Sequence, residues 1–79
     1  MDIEIEEVIK VNGEHFHIND IVKIDLINTE EDKDSIIGRI SFISSNYVQL
    51  DYSEKYISST MYIYFSNIKS IEKVESWLL

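Results

Sequence analysis

The sequence predicts an all-β chain: a small antiparallel barrel of five or six strands with an N-terminal hairpin. Composition is the first observation behind this. Fifteen Ile, five Val, four Leu and nine aromatic residues stand in 79 positions that contain no Ala, Pro or Cys. β-Branched and aromatic side chains suit a pleated, half-buried surface, while Ala, the strongest helix former, is missing. The second observation is an apolar period of 2 in successive short runs. The third is the regular spacing of turn signals, about every ten residues, as expected of a small barrel or sandwich. Base composition is expected to account for part of the Ile richness, because Ile, Asn, Tyr and Lys have AT-rich codons. With a single Arg (Arg39) and two Gly, this suits a low-GC bacterium or one of its phages. The alternation is independent of that bias.

Taken in order, Ile3, Ile5 and Val8 alternate with Glu4 and Glu6, as in an edge strand with one wet face. Val11-Asn12-Gly13-Glu14 follows, and Asn-Gly is the strongest short hairpin signal because a type I′ turn needs positive φ at both central residues. His15 to Ile18 form the return strand, and Asn19-Asp20 turns the chain into Ile21 to Ile27. There Val22, Ile24 and Leu26 share one face, with Lys23 and Asp25 on the other. Residues 28–35 are the most polar stretch and are expected to be an exposed loop.

Ile36 to Ile43 make the next strand, and Gly38 near its start is expected to mark a bulge or sharp bend. Ser44-Ser45-Asn46 turns into Tyr47 to Tyr52, with Val48, Leu50 and Tyr52 on one face. Ser53 to Ser59 read as a second polar connection. From Thr60 to Phe65, Met61, Ile63 and Phe65 oppose Thr60, Tyr62 and Tyr64. Ser66 to Lys69 look like one helical turn, and Ile71 with Val74 suggest a closing strand before the tail Trp77-Leu78-Leu79. The whole is one domain, 1–79, comprising an N-terminal strand and hairpin (1–19), a barrel core (20–74) and a tail (75–79).

Between residues 20 and 74 the chain resembles the small Src-homology-3-like and Sm-like β-barrels of bacteria. The residues that carry the resemblance are Asp20-x-Val22-x-Ile24, then Gly38-x-Ile40-x-x-Ile43 with Val48-x-Leu50, and finally Ile63-x-x-x-x-Ile68 followed by Ile71. It is similar, too, to short uncharacterised barrel proteins of low-GC bacteria and their prophages. The Sm resemblance implies RNA binding and assembly into rings. The family's first motif has an Asp and an Asn in the loop that grips the base, where this chain has Ser44-Ser45-Asn46. Its second motif has Arg-Gly where this chain has Tyr64-Phe65. The base-gripping residues are thus largely replaced.

Charge and chemistry narrow the function. The net charge of −8 lies in residues 1–34, which hold eleven acids against three bases, while residues 35–79 hold four of each. Nucleic-acid binders show a basic stripe that displaces phosphate counterions, so the balance argues against a nucleic-acid partner. The absence of Cys excludes disulfides and Cys-ligated metal. His15-x-His17 puts two imidazoles on one strand face, but no third ligand is identified, and paired polar residues beside a turn explain them. The run Glu30-Glu31-Asp32 with Asp34 lacks the spacing and central Gly of a calcium loop. There is no Gly-x-Ser-x-Gly elbow and no Gly-rich phosphate loop, so neither an enzyme nor a cofactor is expected. The start, Met1-Asp2-Ile3-Glu4, lacks a basic and apolar leader, and no apolar run reaches membrane-spanning length. The expected location is the cytoplasm.

An aromatic surface remains. With the aliphatic face inward, Tyr47, Tyr62 and Tyr64 fall outside, and Trp77 sits in an apolar tail. Outward aromatics anchor protein interfaces or stack on bases, and the acidic charge favours protein. The expected function is that of a non-enzymatic interaction module or assembly subunit, with Tyr47, Tyr62, Tyr64 and Trp77 as the contact surface and the same or another chain as partner. A ring-forming, Sm-like RNA binder using Arg39, Lys55, Lys69 and Lys73 is the alternative. An acidic mimic of nucleic acid, displaying Glu4, Glu6, Asp25 and residues 30–34, is the third.

Overall fold

The computed structural model describes residues 8–27, 35–54 and 57–75. They form seven strands, β1 (Val8–Val11), β2 (Glu14–His17), β3 (Ile21–Leu26), β4 (Ser35–Ile43), β5 (Tyr47–Glu54), β6 (Ile57–Tyr64) and β7 (Ile68–Lys73), with a 3₁₀ turn (Phe65–Asn67) between the last two. The first two make a separate hairpin. The other five make one antiparallel sheet in the order β6-β5-β4-β3-β7. Four strands meander, and the fifth returns to lie beside the first of them. No ladder joins β6 to β7 among the described residues, so the sheet ends in two edges.

Local chemistry accounts for each turn. Asn12 (φ 50°) and Gly13 (φ 82°) both take the left-handed conformation that the two-residue hairpin requires. Asn19 also lies there, at φ 80°, and the turn it makes is closed by the Asp20 side chain accepting from the His17 backbone N–H at 2.8 Å. At the β4–β5 turn the Ser44 hydroxyl accepts from the N–H groups of Asn46 (3.1 Å) and Tyr47 (3.0 Å). The Phe65 N–H then bonds the Asn46 carbonyl at 2.9 Å, which pins the start of the 3₁₀ turn to that bend.

The expected alternation holds in β3, β5 and β6. Val22 and Ile24 of β3, Val48 and Leu50 of β5, and Ile63 of β6 all point into one core with Ile40, Ile43 and Ile71. Phe16 of β2 joins them and is 1% exposed. The hairpin is therefore a second layer against the sheet, although among the described residues its strands pair only with each other. Among the described residues no polar or charged side chain is buried.

Three expectations are corrected. The β5–β6 connection is shorter than the polar run 53–59 suggests, because Tyr52 pairs with Ser59 and Ser53 with Ser58. Ladder bonds are made by backbone, so serines join a strand wherever a partner strand lies alongside. The helical turn begins one residue earlier, at Phe65, and β7 already begins at Ile68. Gly38 is not itself bulged: it pairs with Val22, and the register shift in β4 falls between Ile40 and Phe42. Its role is close approach, since a Cβ there would lie 2.7 Å from the Asp51 carbonyl oxygen.

Candidate functional site

The outer face of β4, β5 and β6 carries a cluster of four rings. Tyr47 stands opposite Tyr64, and Gln49 stands between Phe42 on one neighbour and Tyr62 on the other. The Tyr47 ring is the hub. Its centroid lies 5.5 Å from Tyr62 at an interplanar angle of 78°, 6.0 Å from Tyr64 at 68°, and 6.1 Å from Phe42 at 45°. Edge-to-face contacts of this kind place a positive ring edge on a negative ring face and fix the rings relative to one another. The cluster is nevertheless open to solvent. Tyr62 and Tyr64 are each 61% exposed and Phe42 is 44% exposed.

The structure thus brings together Tyr47, Tyr62 and Tyr64 on one surface. Trp77 lies outside the described residues. Phe42 is the member that sequence reasoning missed. Strict alternation from Ile40 would turn Phe42 inward, but Ser41 is an extra residue in β4 without an opposite number in β5. Its hydroxyl donates to the Gln49 carbonyl at 3.2 Å, and beyond it the faces exchange. Ile43 goes into the core and Phe42 comes out. The signal was present in the spacing Ile40-x-x-Ile43, which is odd for a strand whose two ends face the same core.

Polar groups around the cluster are engaged. The Arg39 guanidinium donates to Asn19 Oδ1 at 2.7 Å and to Asp51 Oδ2 at 2.8 Å, while Thr60 donates to the other Asp51 oxygen at 3.1 Å. Lys73 lies 3.8 Å from the Asp20 carboxylate and 5.6 Å above the Phe16 ring. Two of the four bases considered for RNA contact are therefore held by carboxylates of this chain; Lys69 is exposed, and Lys55 lies outside the described residues. Of the acids considered for mimicry, Asp25 accepts from Ser35 and Ser70 across three strands. Those hydroxyls, Ser35 first, with Lys23 and Lys69 nearby, hold its carboxyl below the usual carboxylate range. Glu4, Glu6 and residues 30–34 lie outside the described residues.

A groove of about 540 Å³ runs between β1 and the far side of the sheet, floored by Val8, Ile43, Phe65, Ile68 and Ile71. Its lining is mainly aliphatic, and among the described residues no acid or histidine lines it and its only hydroxyls are Ser44 and Ser45. His15 is exposed and His17 half-buried, with Nδ1 of His17 3.8 Å from Asp20. Among the described residues no three His, Cys, Asp or Glu side chains gather as a metal site, and no helix is long and apolar enough to cross a membrane. No protein-family model, curated protein or solved structure matches this chain.

Proposed function

We propose that this chain is a non-enzymatic interaction module or assembly subunit, built as a small Src-homology-3-like or Sm-like barrel. Its contact surface is the ring cluster of Phe42, Tyr47, Tyr62 and Tyr64. The return of β7 to the first strand of a four-strand meander, after a 3₁₀ turn, supports the barrel reading. The observation that carries the function is the exposure of Tyr62 and Tyr64, 61% each, on rings already fixed by Tyr47. Tyrosines have only two side-chain torsions to immobilise, so fixed, solvent-facing rings give contact area at little entropic cost. Such side chains are enriched where protein interfaces concentrate their binding energy.

A protein partner also fits the charge. The net −8 repels phosphate, and the Arg39 guanidinium beside the cluster is committed to Asn19 and Asp51. The test is a comparison of the native chain with a Phe42→Ser/Tyr47→Ser/Tyr64→Ser variant against a partner recovered by cross-linking and then purified. Removing several central rings is expected to weaken binding at least a hundredfold, from about 2 kcal/mol or more at a central anchor residue. Equal affinity for both chains would overturn the assignment.

A further inference from the structure

The edge strand β6 differs from every other described strand. Of the seven strands it alone contains no charged residue: the others carry Lys10, Glu14, Lys23 with Asp25, Arg39, Asp51 with Glu54, and Lys69 with Glu72 and Lys73. It also contains no Pro, and its pairing with β5 runs through eight consecutive residue pairs without a register shift. Among the described residues nothing pairs with its outer edge. Soluble proteins blunt such edges with charges, bulges or prolines, because an exposed row of N–H and C=O groups templates another strand. The opposite edge of this sheet is blunted in that way. β7 carries three charges and a register shift against β3 at Lys69.

We infer that β6 pairs with β6 of a second copy of this chain, antiparallel and about a two-fold axis, to join two five-stranded sheets edge to edge. This deepens the interaction reading and rests on it, by naming one partner. Charge permits a second copy at this edge. Two chains of −8 repel wherever their acidic surfaces face, and β6 is an edge along which neither brings a charge to the contact. Symmetry favours it. A two-fold antiparallel pair closes on itself, whereas β6 against β7 would set the uncharged edge on the guarded one and propagate head to tail. Geometry adds a third reason. The axis stands perpendicular to the sheet, so both copies keep Thr60, Tyr62 and Tyr64 on the same outer face, and the two ring clusters become one surface. An eight-residue contact is about 27 Å long at about 3.4 Å per residue. It lies at the small end of stable interfaces, so the pair is expected to dissociate on dilution.

Light scattering coupled to size-exclusion chromatography over a dilution series tests this. The native chain should approach twice the 9.3 kDa chain mass as concentration rises. A Ser58→Lys/Thr60→Lys variant, which sets lysines along the edge, should stay at 9.3 kDa throughout while keeping the native circular dichroism spectrum. A Phe42→Ser/Tyr47→Ser variant, altered away from the edge, should still dimerise. A native chain that remains monomeric up to its solubility limit overturns the inference and leaves the ring surface to its own partner test. A dimer lost in Phe42→Ser/Tyr47→Ser but kept in Ser58→Lys/Thr60→Lys overturns it as well, and moves self-contact to the ring face. An assembly larger than a dimer that survives the lysines overturns it in favour of another contact.

Discussion

The two halves of the five-stranded sheet are held by different forces. The half built on β3 and β7 is tied by side chains from several directions. Phe16 of the hairpin reaches into its core, and Lys73 of β7 lies 5.6 Å above that ring while approaching Asp20 at 3.8 Å. On the outer face Asp25 takes hydroxyl donors from the strands on both sides, Ser35 of β4 and Ser70 of β7, and Lys23 faces Glu72 at 3.9 Å. The half built on β5 and β6 is tied on its outer face at Asp51, which accepts from Arg39 of β4 and Thr60 of β6, and beyond that tie it is more open. Its inner residues Val48, Leu50 and Ile63 are buried, but its outer face carries exposed rings and its edge carries no charge. The difference separates a half whose faces are largely covered from a half whose outer rings and edge stay open among the described residues.

The largest effect should come from removing the ring that ties the hairpin to the closed half. Phe16→Ala is expected to cost about 3–5 kcal/mol, the range for truncating a fully buried aromatic, measured by urea unfolding. The added expectation is regional. Amide exchange should accelerate in β1, β2 and β7 before it does in β5 and β6, because among the described residues no backbone ladder joins the hairpin to the sheet and it depends on side-chain burial. Uniform acceleration would mean that the two halves are one cooperative unit and that the contrast between them is only one of surface.

A smaller effect should come from the seam. Gly38 of β4 lies buried between Val22 of β3 and the backbone of β5. A methyl group there would meet the Asp51 carbonyl oxygen at 2.7 Å, and a backbone atom cannot swing aside as a side-chain tip can. Gly38→Ala is therefore expected to destabilise by about 1–3 kcal/mol, the usual cost of overpacking. The strain should appear as weakened exchange protection at Asp51 and its neighbours in β5. If Gly38→Ala were neutral, β5 would be free to shift against β4, and the open half would be less firmly joined than the geometry states.

This seam also marks how far the sequence could be read. Period-2 alternation identified the inward residues of β3, β5 and β6, and Asn12-Gly13 identified the first hairpin, because both are local consequences of backbone geometry. What escaped was non-local. Ser41 exchanges the faces of β4 only because β5 runs alongside with one residue fewer, so Phe42 could not be placed outside from β4 alone. The serines at 58 and 59 entered β6 because a partner strand was present to pair with them. Arg39 found Asn19, twenty positions away, because the antiparallel pairing of β3 with β4 sets Ile21 opposite Arg39. The ring surface was legible in three of its tyrosines and hidden in its phenylalanine.

The smallest effect, and the one that isolates the closed half, concerns acid. Ser35 and Ser70 donate to the Asp25 carboxylate and favour its charged form, so its folded pKa lies below the value in the unfolded chain. Between those two values the unfolded chain binds the extra proton, and stability rises with pH. The contribution of Asp25 is therefore fully present above the unfolded carboxylate pKa and is lost as pH falls through the lower folded value. Ser35→Ala removes the largest cause of the shift. It should raise the Asp25 titration midpoint seen by carboxyl NMR and narrow the interval over which acid erodes stability. The residues of β5 and β6 should show no matching change, because among the described residues Asp25 takes its hydroxyl donors from Ser35 and Ser70. An unchanged midpoint in Ser35→Ala would leave Ser70, with the neighbouring Lys23 and Lys69, as what holds the charge on β3.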